Sequence, residues 1–113
     1  MFTNKFATRL NSFKSNWHKD EKPSIRDLID RASKVEGLTH VDLNYPDHGD
    51  PSIREISNFS NDCGLAINGL AMRYYTNPAF KLGAFTNPNK LVRQEAIDLT
   101  KQAIDKLREI DSN

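Results

Sequence analysis

The sequence lacks several features that would assign it to a whole class of proteins. Its one cysteine, Cys63, cannot form a disulfide within the chain, which fits a reducing compartment. No apolar run reaches the roughly 18 residues of a membrane-spanning helix, and the first residues contain no apolar signal core. The 16 basic and 15 acidic residues give a net charge of +1, without the basic surplus of a nucleic-acid-binding domain. We therefore predict a cytoplasmic protein that binds neither nucleic acid nor membrane.

Short catalytic and cofactor-binding motifs are also missing. There is no Gly-rich phosphate loop, because Gly69 and Gly83 stand alone, and no CxxC, HExxH or GxSxG occurs. The residue patterns along the chain therefore have to carry the functional interpretation.

The most informative pattern is a phrase that occurs twice. Residues 23–28 read PSIRDL, and residues 51–56 read PSIREI. Each copy opens a helical pattern that ends at a glycine, Gly37 or Gly64, and a short apolar stretch follows. A spacing of about 30 residues, with one strand and one helix in each period, is typical of βα units.

The apolar periodicity predicts three strands and three helices. We predict strands at residues 6–13, 40–44 and 65–72, with Gly69 marking a bulge or a close backbone approach in the third strand. The helices are predicted to start at the N-caps Ser24, Asp50 and Asn87, the last two followed by a proline. The fold class is thus α/β, with parallel strands joined by helices and two open strand edges.

Polar side chains alternate along the second strand. His40, Asp42 and Asn44 share one face, which suits the inside of a barrel near its active-site mouth better than a sheet covered by helices on both faces. His40 and Asp42 are also two possible metal ligands. A hydrogen-bonded polar layer is the favoured interpretation, because a divalent site needs at least three ligands.

Further candidate residues follow the strands. His48 comes just after the second strand, where a near-neutral imidazole suits proton transfer or metal binding; the alternative is a solvated loop histidine beside Asp47. Arg73 follows the third strand, where a guanidinium could hold a carboxylate or phosphate; the alternative is an ordinary amphipathic strand end. Asn44 could bind a hydroxylated ligand.

Several stretches resemble a known family. Residues 6–13 (FATRLNSF), 41–48 (VDLNYPDH) and 70–73 (LAMR) resemble the opening of xylose-isomerase-like sugar isomerases. Residues 81–88 (KLGAFTNP), with the helix that follows, are similar to the third βα connection of TIM barrels related to bacterial rhamnose isomerases. The resemblance covers nearly the whole chain.

The resemblance implies a (β/α)8 barrel whose relatives interconvert aldoses and ketoses, or epimerise sugars, with Mn²⁺, Mg²⁺ or Co²⁺. The metal ligands of such relatives come mainly from later strands, so residues 1–113 would be three βα units of a partial TIM barrel, with no metal site of their own. We expect this truncated chain to be inactive alone and to act on a sugar only when completed. By position, His48 would be catalytic, and Asn11, Asn44 and Arg73 would contact the substrate.

Two alternatives stay open. The chain could be a non-enzymatic α/β interaction module, or a half barrel that self-associates or joins a partner through its open strand edges. It could also be a small doubly wound domain of the flavodoxin type, which would require two further strands in residues 14–22 and 75–86.

Overall fold

A three-stranded parallel sheet forms the centre of the protein, in a computed structural model that describes residues 4–14, 22–48 and 52–110. Strand β2 lies between β1 and β3 and pairs in parallel with both. The mixed α/β class with parallel strands is therefore confirmed. The strands are β1 (Ala7–Arg9), β2 (His40–Tyr45) and β3 (Ala66–Met72), and the helices are α1 (Ile25–Ser33), α2 (Ile53–Asp62) and α3 (Lys90–Arg108).

The first strand is shorter than the prediction of residues 6–13. It ends at Arg9, and the chain turns into a single 3-10 turn, Leu10–Phe13. The turn carries the fully buried Leu10 into the core and is closed by a hydrogen bond from the Lys14 N–H to the Asn11 carbonyl. The free energy gained by burying Leu10 thus favours the 3-10 turn over a longer strand.

The repeated phrase forms the same local structure twice. Ser24 caps α1 in a full capping box, because its hydroxyl accepts from the Asp27 N–H and the Asp27 carboxylate accepts from the Ser24 N–H. Ser52 is the equivalent N-cap of α2, accepting from the Glu55 N–H. The prediction of Asp50 as this cap was wrong, and Asp50 lies outside the described residues together with Pro51.

The third helix begins two residues later than predicted. Asn89 is its N-cap and accepts from the Leu91 N–H. Asn87, the predicted cap, is buried and closes the preceding loop instead: its amide donates to the Gly83 carbonyl and accepts from the Asn89 N–H.

The predicted bulge at Gly69 is present. Val41 pairs with Ile67 and Asp42 pairs with Gly69, so Asn68 is the extra residue on β3. The Asn68 amide donates to the Asp42 carboxylate at 2.9 Å across the two strands.

The sheet has one apolar and one polar face. Helices α1 and α2 pack on the apolar face, and Ile110, just after α3, reaches the same core. His40, Asp42 and Asn44 alternate with the core residues of β2 and share the other face, as predicted. The buried core comprises Leu10, Leu28, Ile29, Ala32, Val41, Leu43, Ile53, Ile56, Leu65 and Ile67.

The connection from β3 to α3 contains no strand. It forms 3-10 turns at Tyr74–Thr76 and Pro78–Phe80, and the Tyr74 ring meets the edges of Phe80 and Phe85. The strand that a doubly wound domain would need in residues 75–86 is therefore not there. Of the other segment, 14–22, residues 15–21 lie outside the described residues.

Among the helices of the described ranges, none combines the length and the apolar character needed to cross a membrane.

Candidate functional site

The four residues predicted for the site lie at one edge of the sheet. Asn11 follows β1, Asn44 is near the end of β2, His48 lies in the turn after β2, and Arg73 follows β3. Because the strands are parallel, their carboxyl ends meet at the same edge. We call these four residues, at this place, the carboxyl edge.

A tight turn after β2 fixes the position of His48. The Tyr45–Pro46 peptide bond is cis. The Asn44 N–H donates to Nδ1 of His48 at 2.8 Å, and the His48 N–H donates to the Asn44 carbonyl at 2.7 Å. His48 is only 7 % exposed. It is therefore a positioned side chain rather than a solvated loop histidine.

The surroundings of His48 keep its imidazole neutral. Burial lowers its pKa from 6.5, and the positive charge of Lys14 lowers it further. The negative charge of Asp47 raises the pKa of His48, whereas the positive charge of Arg73 lowers it. Because Nδ1 accepts the Asn44 N–H, the proton of the neutral ring sits on Nε2, which can donate to a ligand oxygen.

Three contacts fix the position of Arg73. Its backbone N–H donates to the Tyr45 carbonyl at 2.9 Å, and its guanidinium pairs with the Asp47 carboxylate at 3.0 Å. The guanidinium also lies 4.9 Å from the centre of the Tyr75 ring. The role of Asp47 was missed in the sequence. Its contact with Arg73 depends on the paths of two loops, one after β2 and one after β3, which no local sequence pattern encodes.

Arg9 was also missed. Its guanidinium donates to the Asn44 amide oxygen at 2.9 Å. Arg9 pairs with Asp42 in the register of β1 and β2, so the period-2 alternation that identified the polar face of β2 would have placed Arg9 on it.

Three buried polar atoms at the carboxyl edge have no hydrogen-bond partner in the described part of the chain. They are the Asn11 amide oxygen, the Asn44 amide nitrogen and Nε of Arg73. Asn44 is 1 % exposed, so bulk water does not reach its unused donor. Nearly all buried polar groups in native proteins are hydrogen-bonded, and each exception calls for an explanation such as strain, a catalytic role or a bound water or ion. Here the exceptions coincide with three of the four predicted site residues.

No cluster of potential metal ligands occurs in residues 4–14, 22–48 and 52–110. These residues contain no group of three or more His, Cys, Asp or Glu side chains that could hold a metal ion. His40 hydrogen-bonds to Thr39, and Asp42 accepts from Asn68. The polar layer on β2 is thus hydrogen-bonded internally, and it does not fit a divalent metal.

A cleft of 520 Å³ opens beside His48, between the start of α1 and the turn after β2. We call it the α1 cleft. It is lined by Lys14, Pro23, Ser24, Ile25, Arg26, Leu28, Asp47 and His48.

Comparison with known proteins assigns the chain to no family. No protein-family model matches the chain, and no curated protein matches it either. The functional interpretation therefore depends on the geometry of the carboxyl edge, and the xylose-isomerase-like relationship stays a hypothesis.

Proposed function

We propose that the carboxyl edge binds a polyhydroxylated, sugar-like ligand. In this proposal the three βα units are part of a xylose-isomerase-like (β/α)8 barrel, which isomerises or epimerises a sugar when it is completed. The observation that carries the proposal is the set of three buried, unpartnered polar atoms on Asn11, Asn44 and Arg73.

The chemistry of these atoms matches hydroxyl groups. The Asn11 oxygen is an acceptor, whereas the Asn44 amide nitrogen and Nε of Arg73 are donors. A hydroxyl group both donates and accepts, so a chain of neighbouring hydroxyls can satisfy all three atoms. A ligand with acceptors alone would leave the Asn11 oxygen unpaired.

His48 adds a directed donor to this set. Its Nε2–H can donate to a carbonyl or hydroxyl oxygen of the ligand, because Nδ1 is occupied by the Asn44 N–H. A neutral imidazole that donates in this way can polarise a sugar carbonyl and move a proton to its oxygen. The described residues do not fit the metal that the resemblance implies, so we derive no step through one.

Binding measurements with variants test the proposal. We expect the full chain to bind D-xylose, and we expect Asn11→Leu and Arg73→Lys to weaken binding. Arg73→Lys keeps the charge that faces Asp47 but removes Nε, so it isolates the unpaired donor. One lost hydrogen bond is worth about 0.5–1.5 kcal/mol, which is about two- to tenfold in Kd.

The matched control is Asn58→Ser, since Asn58 is exposed on α2, on the opposite side of the core from the polar face. It should leave the Kd unchanged. Equal affinity of the two site variants and the control would refute the assignment of the carboxyl edge.

A second candidate function, assembly with another chain, is favoured by the open strand edges. Within the described residues, β1 and β3 each pair only with β2, so the outer side of each strand leaves backbone groups available. Light scattering over a range of concentrations tests this. A defined dimer of the 12.9 kDa chain would support assembly, and a monomer at every concentration would refute self-association.

A further inference from the structure

The α1 cleft adjoins the carboxyl edge. His48 belongs to both: its Nδ1 is bonded to the Asn44 N–H, and its side chain lines the cleft. Asp47 also lines the cleft and pairs with Arg73. A ligand that reaches the unpaired atoms of the carboxyl edge therefore has the α1 cleft next to it.

Positive charge predominates around the α1 cleft. Lys14 and Arg26 line it, and no ion pair with a carboxylate of the described residues is formed by either. The Arg26 guanidinium lies over the Phe59 ring at 5.0 Å, so Lys14 is the more available of the two. The positive charges of Lys14 and Arg73 both lower the pKa of His48, which lines the cleft.

Among the described residues, the carboxylates of Asp47 and Asp27 near the α1 cleft each have a partner. The Asp47 carboxylate lies 3.0 Å from the guanidinium of Arg73. The Asp27 carboxylate accepts from the Ser24 N–H in the capping box. The negative charge of Asp47 is thus offset by Arg73, whereas Asp27 keeps its charge but turns its carboxylate to the Ser24 N–H.

Backbone donors line the same wall of the cleft. The first N–H groups of a helix have no acceptor within the helix, and the capping box of α1 satisfies only those of Ser24 and Asp27. The N–H groups of Ile25 and Arg26, both residues of the cleft wall, are left over. The positive end of the helix dipole acts in the same direction.

Buried His48 supplies an independent side-chain donor to this cleft. The residue is more than nine-tenths buried at 7 % exposure, and with Nδ1 engaged its free donor is Nε2–H. A lysine and two backbone N–H groups, bordered by the imidazole N–H of His48, form a set of donors, which suits an anion.

We propose that the α1 cleft binds the anionic group of the ligand, so that the ligand of this protein is an anionic sugar, either a sugar phosphate or a sugar acid. The inference rests on the proposed function, because it names the substrate class of the same site. Phosphate and carboxylate share the acceptor chemistry that the cleft requires, and the choice between them is made by experiment.

The test compares a neutral sugar with its anionic derivatives on the full chain. D-xylose, D-xylose 5-phosphate, D-xylonate and inorganic phosphate are titrated by calorimetry and by ¹H–¹⁵N NMR, which reports on the amides of Ile25 and Arg26. We expect one anionic sugar to bind at least about tenfold more tightly than D-xylose and to shift both amides. Whichever of the two binds more tightly identifies the anionic group.

Charge variants assign the preference to the cleft. Lys14 and Lys101 are both exposed, so Lys14→Gln and Lys101→Gln change the net charge equally and leave the core intact. Lys14→Gln should abolish the preference for the anionic sugar, whereas Lys14→Arg and Lys101→Gln should retain it. D-xylose should bind all of these variants with the same Kd.

The outcomes separate this inference from the proposed function. If D-xylose and both anionic sugars bind equally, the anion site is refuted and the proposed function stands. If inorganic phosphate shifts Ile25 and Arg26 but no sugar binds, the anion site is supported and both the proposed function and the assignment of a sugar ligand are refuted. If Lys14→Gln and Lys101→Gln weaken binding to the same extent, the preference comes from net charge and the cleft is refuted as its source.

Discussion

Protonation of His48 should destabilise the folded protein at mildly acid pH. In the folded state burial lowers its pKa from 6.5, with Lys14 and then Arg73 as further causes and Asp47 opposing them. As the pH falls below 6.5, the unfolded chain therefore takes up a proton that the folded chain resists. The stabilising contribution of neutral His48 is complete above pH 6.5 and is lost as the pH falls toward the lowered pKa.

The size of the effect follows from proton linkage. One proton bound by the unfolded state alone changes the free energy of unfolding by at most about 1.4 kcal/mol per pH unit. The measured slope should fall short of this limit, because His48 borders a cleft open to water. The 2.8 Å hydrogen bond from the Asn44 N–H to Nδ1 acts in the same direction as burial, because a protonated imidazole cannot accept it.

Two variants separate titration from hydrogen bonding. In His48→Asn the side-chain oxygen can accept from the Asn44 N–H in place of Nδ1, so we expect modest destabilisation and a flatter pH profile. In His48→Ala the Asn44 N–H loses its acceptor, which should cost about 1–3 kcal/mol above pH 6.5. Urea unfolding of the three proteins between about pH 5 and pH 8 measures both effects.

The comparison with His48→Asn cancels the contributions of the other titrating groups. The reasoning is refuted if the wild type and His48→Asn lose stability in parallel as the pH falls. It is also refuted if the wild type gains stability relative to His48→Asn below pH 6.5, because the pKa of His48 would then be raised in the folded protein.

Three further predictions concern the fold and are checked by urea unfolding. Ser24→Ala removes the capping box of α1 and should cost about 1 kcal/mol. Gly83→Ala should cost at least about 1 kcal/mol, because Gly83 has a φ of +114° and a Cβ there would lie 2.8 Å from Oγ1 of Thr86. Ile29→Ala should cost about 2–5 kcal/mol, since Ile29 is fully buried, whereas Ile97→Ala on the exposed side of α3 should cost less than about 0.5 kcal/mol.

Local sequence patterns predicted a strand or helix well where the side-chain pattern and the backbone preference of the residues indicate the same structure. The apolar residues of β2 alternate with His40, Asp42 and Asn44, and this alternation predicted both the strand and its polar face. The glycine at position 69 predicted the bulge, which the register of β2 and β3 confirms.

The boundaries of elements were less predictable because neighbouring residues compete for the same role. Asp50 and Ser52 are both good N-caps, and so are Asn87 and Asn89; tertiary contacts decide between them. For α2 the repeated phrase indicates the correct N-cap, since Ser52 corresponds to Ser24.

The composition of the carboxyl edge was predictable, but its internal contacts were not. Parallel βα units place the residues after each strand at one edge, which is why Asn11, Asn44, His48 and Arg73 could be chosen together. The pairing of Asp47 with Arg73 joins residues far apart in sequence, and it depends on the paths of two loops. No local pattern encodes such a contact.

The central claim is that the unpaired polar atoms of the carboxyl edge bind a hydroxylated ligand. The most direct measurement follows the side-chain amide of Asn44 and the Nε–H of Arg73 by ¹H–¹⁵N NMR while D-xylose is added to the full chain. The account predicts saturable shifts of both signals with a common Kd, while the side-chain amide of exposed Asn58 stays in place. The account is contradicted if the Asn44 and Arg73 signals do not move, or move no more than that of Asn58.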